Sequence, residues 1–171
     1  MISLIQNNNK IVQYAKVLGA QVIGVDAPNK RGLILGVGAT EFVDFVNTDP
    51  VQRVHEITGS GAHAVVVTAG SASAFVRAAD MLRVGGTLSC AGVPPGTTKL
   101  ETPICNIIIK GLKICGNTVG SMKECMEAVD LTRRGLVKPE IKIRPFRELP
   151  AVYEEMEKGD IAGRIVLEVP E

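Results

Sequence analysis

Asp26 closes the short run Gln21-Val22-Ile23-Gly24-Val25-Asp26 and is followed at once by Ala27-Pro28. An acid at the carboxyl end of a parallel strand can accept hydrogen bonds from both hydroxyls of an adenosine ribose, and its charge repels a 2′-phosphate. The same residue serves equally well as a solvated acid opening a turn. Lys30 and Arg31 come next, either beside that ribose or as surface charges. Thr68-Ala69-Gly70 and Ala91-Gly92-Val93 follow two further β-like runs. Small residues there let backbone approach a flat ring or a ribose closely, although glycine after a strand is also the ordinary turn residue.

Other chemistries find little support. His55 and His63 have no carboxylate or cysteine at ligand spacing, and no G-x-S-x-G, H-E-x-x-H or G-K-[ST] pattern occurs. Cys90, Cys105, Cys115 and Cys125 lie 15, 10 and 10 residues apart, without a C-x-x-C pair. They read as buried free thiols, with Cys125 sharing a helix face with Met122, Met126 and Val129. No catalytic side chain and no metal ligand is assigned.

The elements that must position these residues alternate between β-rich runs and amphipathic helical segments, the pattern of βαβ units in an α/β fold. A helix is expected at 11–18, stopped by Gly19, then a strand at 21–26, a helical segment near 31–37 and a strand at 41–46. Asp49 and Pro50 open the next helix, with Val51, Val54 and Ile57 facing inward. The β-branched run 64–68 suits a central strand buried on both faces. A helix from Ser71 presents Phe75, Ala79 and Leu82 to the sheet, and Gly85-Gly86 turns the chain into a strand at 87–91. Residues 107–116 read as two short β-like runs around Lys110-Gly111. Ser121 and Glu124 form a capping box for a helix reaching Arg134. A strand at 141–144, a helix with Leu149, Val152, Tyr153 and Met156 on one face, and a strand at 164–169 complete the order.

The 171 residues carry a net charge of +1 without a long basic run, which argues against a nucleic-acid partner. The longest apolar stretches, 64–69 and 104–109, fall well short of the roughly 20 residues that cross a bilayer. The amino-terminal residues lack the features of a signal peptide, so a cytoplasmic location is expected.

The strings Val12-Gln13-Tyr14-Ala15-Lys16, Gly24-Val25-Asp26, Gly92-Val93-Pro94-Pro95-Gly96 and Arg134-Gly135-Leu136-Val137-Lys138 resemble zinc-type, medium-chain alcohol dehydrogenases, above all the tetrameric microbial kind. The run Tyr153-Glu154-Glu155-Met156-Glu157-Lys158-Gly159-Asp160-Ile161-Ala162-Gly163-Arg164-Ile165-Val166 extends the likeness over nine-tenths of the chain. The resemblance implies a Rossmann-like doubly wound parallel sheet and one nucleotide-binding domain spanning 1–171. It implies NAD as cofactor, with Asp26 and Arg31 on the adenosine ribose. The loops at 68–70 and 91–93 would line the cofactor, Thr118 and Val119 would lie near the nicotinamide, and Arg164 would pair with the pyrophosphate. The segment 107–120 would lie near a subunit interface.

The sequence departs from this pattern in two places. Where the family has a glycine-rich turn, Gln6-Asn7-Asn8-Asn9-Lys10 stands after a short first strand at Ile2 to Ile5. The amino-terminal zinc-bearing catalytic domain has no counterpart here, so zinc is expected only in full-length relatives. The expectation is an alcohol-dehydrogenase-like oxidoreductase chain, truncated and inactive on alcohols alone. The alternative is a non-catalytic NAD-binding or assembly module, partnering a second copy or a full-length dehydrogenase.

Overall fold

A computed structural model describes residues 1–5, 9–158, 161 and 163–170, and of residues 3–5 the backbone. The asparagines at 7 and 8 lie outside the described residues. In chain order the elements are β1 (Ile2–Ile5), α1 (Asn9–Val17), β2 (Val22–Asp26), α2 (Arg31–Gly36), β3 (Glu41–Asp44), α3 (Pro50–Thr58), β4 (Ala62–Val67) and α4 (Ser73–Val76). There follow β5 (Leu82–Cys90), α5 (Ile104–Lys110), β6 (Lys113–Gly116), α6 (Met122–Arg133), β7 (Ile141–Pro145), α7 (Leu149–Lys158) and β8 (Arg164–Glu168).

Six strands form one parallel sheet in the order β3-β2-β1-β4-β5-β6, the order of a doubly wound Rossmann-like fold. The short first strand is present and central: Ile2 to Ile5 pair with Val22 to Val25 on one side and Ala64 to Val67 on the other. β7 and β8 pair in parallel as a separate two-stranded sheet.

Strand side chains alternate between two cores, which is what covering both faces with helices requires. Ile23, Val25, Val65, Val67 and Leu88 pack with Val54 of α3 and Phe75 of α4. On the other face, Val22 packs with Val12 and Ala15 of α1, Ile34 of α2 and Phe42 of β3. Each fully buried aliphatic side chain contributes about 1.5–3 kcal/mol of transfer free energy. Gly24 lies on the second face because α2 leaves no room there: a Cβ would run into Ile34 Cγ2.

Helix ends follow the sequence closely. Asp49 caps α3 by accepting from the Val51 N–H at 2.9 Å, with Pro50 in the first turn. Ser121 and Glu124 form the expected box at α6, with Ser121 N–H donating to Glu124 Oε2 at 2.6 Å.

Four expectations are corrected. The helix from Ser71 stops at Val76 and gives way to a 3₁₀ turn at Ala78–Met81, because the Leu82 backbone is drawn into pairing with Ala62 and opens β5. Residues 107–110, expected to be extended, belong to a helix: Pro103 precedes α5, Gly111 ends it at φ +58°, and only the second run forms β6. Bracketing by proline and glycine overrides the β preference of three consecutive isoleucines. Cys105, Cys115 and Cys125 are exposed and Cys90 half-buried, because β6 is an edge strand and the Met122, Met126 and Val129 face of α6 is uncovered. On α7 only Val152 is buried, while Tyr153 and Met156 face outward, a two-stranded sheet being too narrow to cover them.

Candidate functional site

In an open parallel sheet, helix N-termini open at the carboxyl edge of the strands, and ligands bind there. Here that edge carries a cleft of about 180 Å³ at the ends of the β1–α1 and β2–α2 units. Asn9 and Lys10 from the start of α1, Asp26 from the end of β2, Lys30 from the following 3₁₀ turn, and Gly163 and Arg164 from the start of β8 line it. Three cationic side chains thus face one carboxylate. Asp26 is 6% exposed and its Oδ1 accepts from the Ala27 N–H at 2.7 Å, which fixes the carboxylate at the mouth of the turn. Leu33 and Ile34 of α2 supply the apolar part of the lining.

Asp26, Lys30 and Arg164 are therefore brought together although 138 residues (164 minus 26) separate the first and last. Arg31 does not line this cleft. Its guanidinium lies 5.5 Å from the centroid of the Phe42 ring, within range of a cation–π contact. Its charge also reaches Asp44, whose carboxyl is held below the usual range first by the Asn47 amide, then by backbone N–H groups and Arg31.

Thr68, Ala91, Gly92 and Val93 lie at the ends of β4 and β5, further along the same edge. The Val67 carbonyl accepts from both Ala91 and Gly92 N–H groups, at 2.9 and 2.8 Å. A Cβ on Gly92 would collide with the Ala69 carbonyl oxygen, so the neighbouring loop alone already demands glycine there. Val93 is 82% exposed. Thr118 and Val119 follow β6, both exposed, and Asn117 ties that segment down by donating to the Ser89 hydroxyl at 2.8 Å and to the Cys90 carbonyl at 2.8 Å.

Sequence reasoning missed a second, mainly apolar cleft of about 320 Å³. Val25, Phe45 and Pro50 line it from one side, and Ala74, Arg77 and Met81 from the other. The signal available was Phe45, an aromatic residue that the expected strand at 41–46 includes but that stands just past the end of β3 at Asp44. At the rim Arg77 donates to Asp49 at 3.0 Å.

The match to the family described as Zinc-binding dehydrogenase covers residues 10–134. This chain belongs to the zinc-binding dehydrogenase family. It is 40% identical over 163 residues to Alcohol dehydrogenase 1 of Emericella nidulans, covering 93% of this chain and 46% of that protein. With the alcohol dehydrogenase of Schizosaccharomyces pombe the identity is 39% over 160 residues, 92% of this chain and 45% of that one. The chain thus spans about half the length of the curated relatives it matches. Among solved structures, the alcohol dehydrogenase from the archaeon Aeropyrum pernix superposes with a TM-score of 0.89 at 30% identity, over 97% of this chain and 49% of that chain. Among the described residues no three His, Cys, Asp or Glu side chains converge to hold a metal ion, so zinc does not fit these residues.

Proposed function

We propose that this chain is the nucleotide-binding part of an alcohol-dehydrogenase-type oxidoreductase and that it binds NAD at the Asp26 cleft. The observation that carries this is the meeting of Asp26, Lys30 and Arg164 at the carboxyl edge of the sheet. The Asp26 carboxylate accepts from the two ribose hydroxyls, and Lys10, Lys30 and Arg164 neutralise the diphosphate. The apolar cleft beside Phe45 offers a surface for the adenine ring. When bound, NAD supplies the hydride acceptor for oxidation of an alcohol to an aldehyde or ketone. The chain's own groups bind and orient the nucleotide. On this reading the group that polarises the substrate oxygen comes from outside the described residues.

Calorimetric titration of NAD and NADP into the folded protein tests this reading. NAD binding with a Kd up to roughly millimolar, worth about 4 kcal/mol, and weaker NADP binding are expected. Equal affinity for the two, or no binding of either, overturns it.

A second reading rests on the uncovered apolar surface. Ile104, Ile108 and Ile109 of α5 are exposed beside the edge strand β6, as are Met122, Met126 and Val129 of α6. Such surface suits an assembly role, with a second copy or a complete dehydrogenase as partner. Sedimentation at micromolar concentration decides it: a strictly monomeric species that does not co-sediment with such an enzyme counts against assembly.

A further inference from the structure

α6 meets the rest of the chain along one side and has no fully buried residue. Its Ala128 carbonyl accepts from the Tyr14 hydroxyl, and Ala128, Leu131 and Thr132 are half-buried. The other side carries an apolar stripe. Met122, Cys125, Met126 and Val129 stand at i, i+3, i+4 and i+7, the spacing of one helix face. The two methionines and the valine are 76%, 67% and 61% exposed, and Cys125 is exposed with them. A shallow groove of about 400 Å³ borders the stripe toward α1, lined by Tyr14, Cys125, Ala128, Val129 and Thr132, with Arg133 at its end. Contiguous apolar surface rimmed by polar residues marks a place where a protein partner binds.

The charges on α6 select the partner. Its first half carries Lys123 against Glu124 and Glu127, and its second half carries Asp130 against Arg133 and the capping Arg134. The first half is therefore net negative and the second net positive, so the helix complements itself when laid antiparallel. A parallel copy would set like against like. The apolar side chains agree. About a two-fold axis between Cys125 and Met126, Met122 of one copy faces Val129 of the other and Met126 faces Cys125, apolar against apolar along the stripe. Both methionines then lie over groove-lining residues of the second copy, where their flexible thioethers can fill an irregular surface. Competing pairs within the chain are weak: Lys123–Glu127 spans 3.9 Å and Arg134–Asp130 3.6 Å, both at the surface.

Resting on the assembly reading above, we infer that the Met122, Cys125, Met126 and Val129 stripe is a self-association surface, and that the partner it fits is a second copy of this chain laid antiparallel along α6. Such a contact uses the same patch on both copies and closes on itself, so it gives a dimer rather than a filament. It is distinct from the β6 edge, whose exposed isoleucine neighbours Ile108 and Ile109 belong to α5.

Sedimentation equilibrium of the intact chain at roughly 100 μM should show a dimer. Met126→Glu sets a carboxylate on each side of the axis and should weaken that dimer about tenfold or more, while Ile109→Glu on α5 leaves it within about twofold. In the Cys105→Ser, Cys115→Ser double variant, air oxidation over a copper catalyst should join two Cys125 thiols across the axis as a disulfide, oxygen taking up the electrons and protons released. Adding Cys125→Ser should abolish that cross-link. A dimer that survives Met126→Glu, or the lack of a cross-link that depends on Cys125, overturns this inference and leaves assembly through another face standing. A chain that is monomeric alone but co-sediments with a complete dehydrogenase does the same; one that does neither overturns both. Where both glutamate variants dissociate the dimer, the cross-link decides. Should Met126→Glu not fold, Met126→Gln, similar in bulk but polar, takes its place with the same outcomes.

Discussion

The Gln13 side-chain amide pairs with the Lys138 backbone at both of its atoms, donating from Nε2 to the carbonyl at 3.0 Å and accepting the N–H on Oε1 at 2.7 Å. Gln13 is 8% exposed, so α1 treats the segment after α6 as a neighbouring strand across 125 residues of sequence. Tyr14, the next residue on α1, adds a bond from its hydroxyl to the Ala128 carbonyl at 3.4 Å. Gln13→Leu keeps the bulk and strands both Lys138 groups, which should cost roughly 1–3 kcal/mol. Urea unfolding of the variant measures this; a loss below about 0.5 kcal/mol would show that water replaces the pairing.

Gly24 and Ile34 cannot both carry a Cβ branch where they now stand. Gly24→Ala should destabilise by about 1–3 kcal/mol through overpacking against α2. Adding Ile34→Ala should recover part of that loss, because the two positions share one contact and their effects are not additive. A double variant whose loss equals the sum of the singles would mean that α2 shifts bodily instead.

Asp26→Asn preserves an acceptor for the Ala27 N–H but removes the charge that repels a 2′-phosphate. On the proposed reading NADP affinity should rise to within about threefold of that for NAD, a change visible by competition titration. Unchanged discrimination would show that Asp26 does not select the cofactor.

Asp49 links stability to pH. The Arg77 guanidinium beside it holds its carboxyl below the ordinary value of 3.8, and the N–H groups it caps add to this. A depressed folded-state value means the stabilising contribution is full above the ordinary value and lost as pH falls through the folded one. Asp49→Asn keeps the cap but not the charge. The difference in thermal midpoint between parent and variant should therefore be largest near neutral pH and vanish in acid. The pair is half exposed, so high salt should shrink it as well. A difference independent of pH would assign the effect to the cap alone.

What the sequence made legible were features whose causes are local. Asp49-Pro50 and Ser121-x-x-Glu124 announce helix starts because a side chain within three residues satisfies the unpaired N–H groups. Asp26 could be placed at a strand end because the apolar run before it is short and sharply bounded. Less legible were features decided at long range. Ile107, Ile108 and Ile109 favour a strand locally, yet Lys110 ends a helix there and donates its Nζ to the Leu82 carbonyl at 3.2 Å. Leu82 fits a helix face by spacing, but its backbone answers to Ala62. Arg31 sits one residue past Lys30, and that single step takes it from the cleft lining to the Phe42 ring. Asn9 stood out only as a missing glycine. That its amide lacks a partner becomes visible only once α1 is packed.

Within the sheet, β1 and β4 form the seam between β3-β2-β1 and β4-β5-β6, and that seam joins residues 62 positions apart (64 minus 2). Pairings inside each half span shorter stretches of chain, so each can assemble before the seam closes, since loop-closure entropy grows with separation. A four-residue strand thus carries the longest-range pairing in the sheet, and stopped-flow refolding should show that pairing forming after those within either half. Under mild denaturant the N–H groups that donate across this seam should lose hydrogen-exchange protection together, before those that donate within either half, such as the Ile2 N–H to the Gln21 carbonyl.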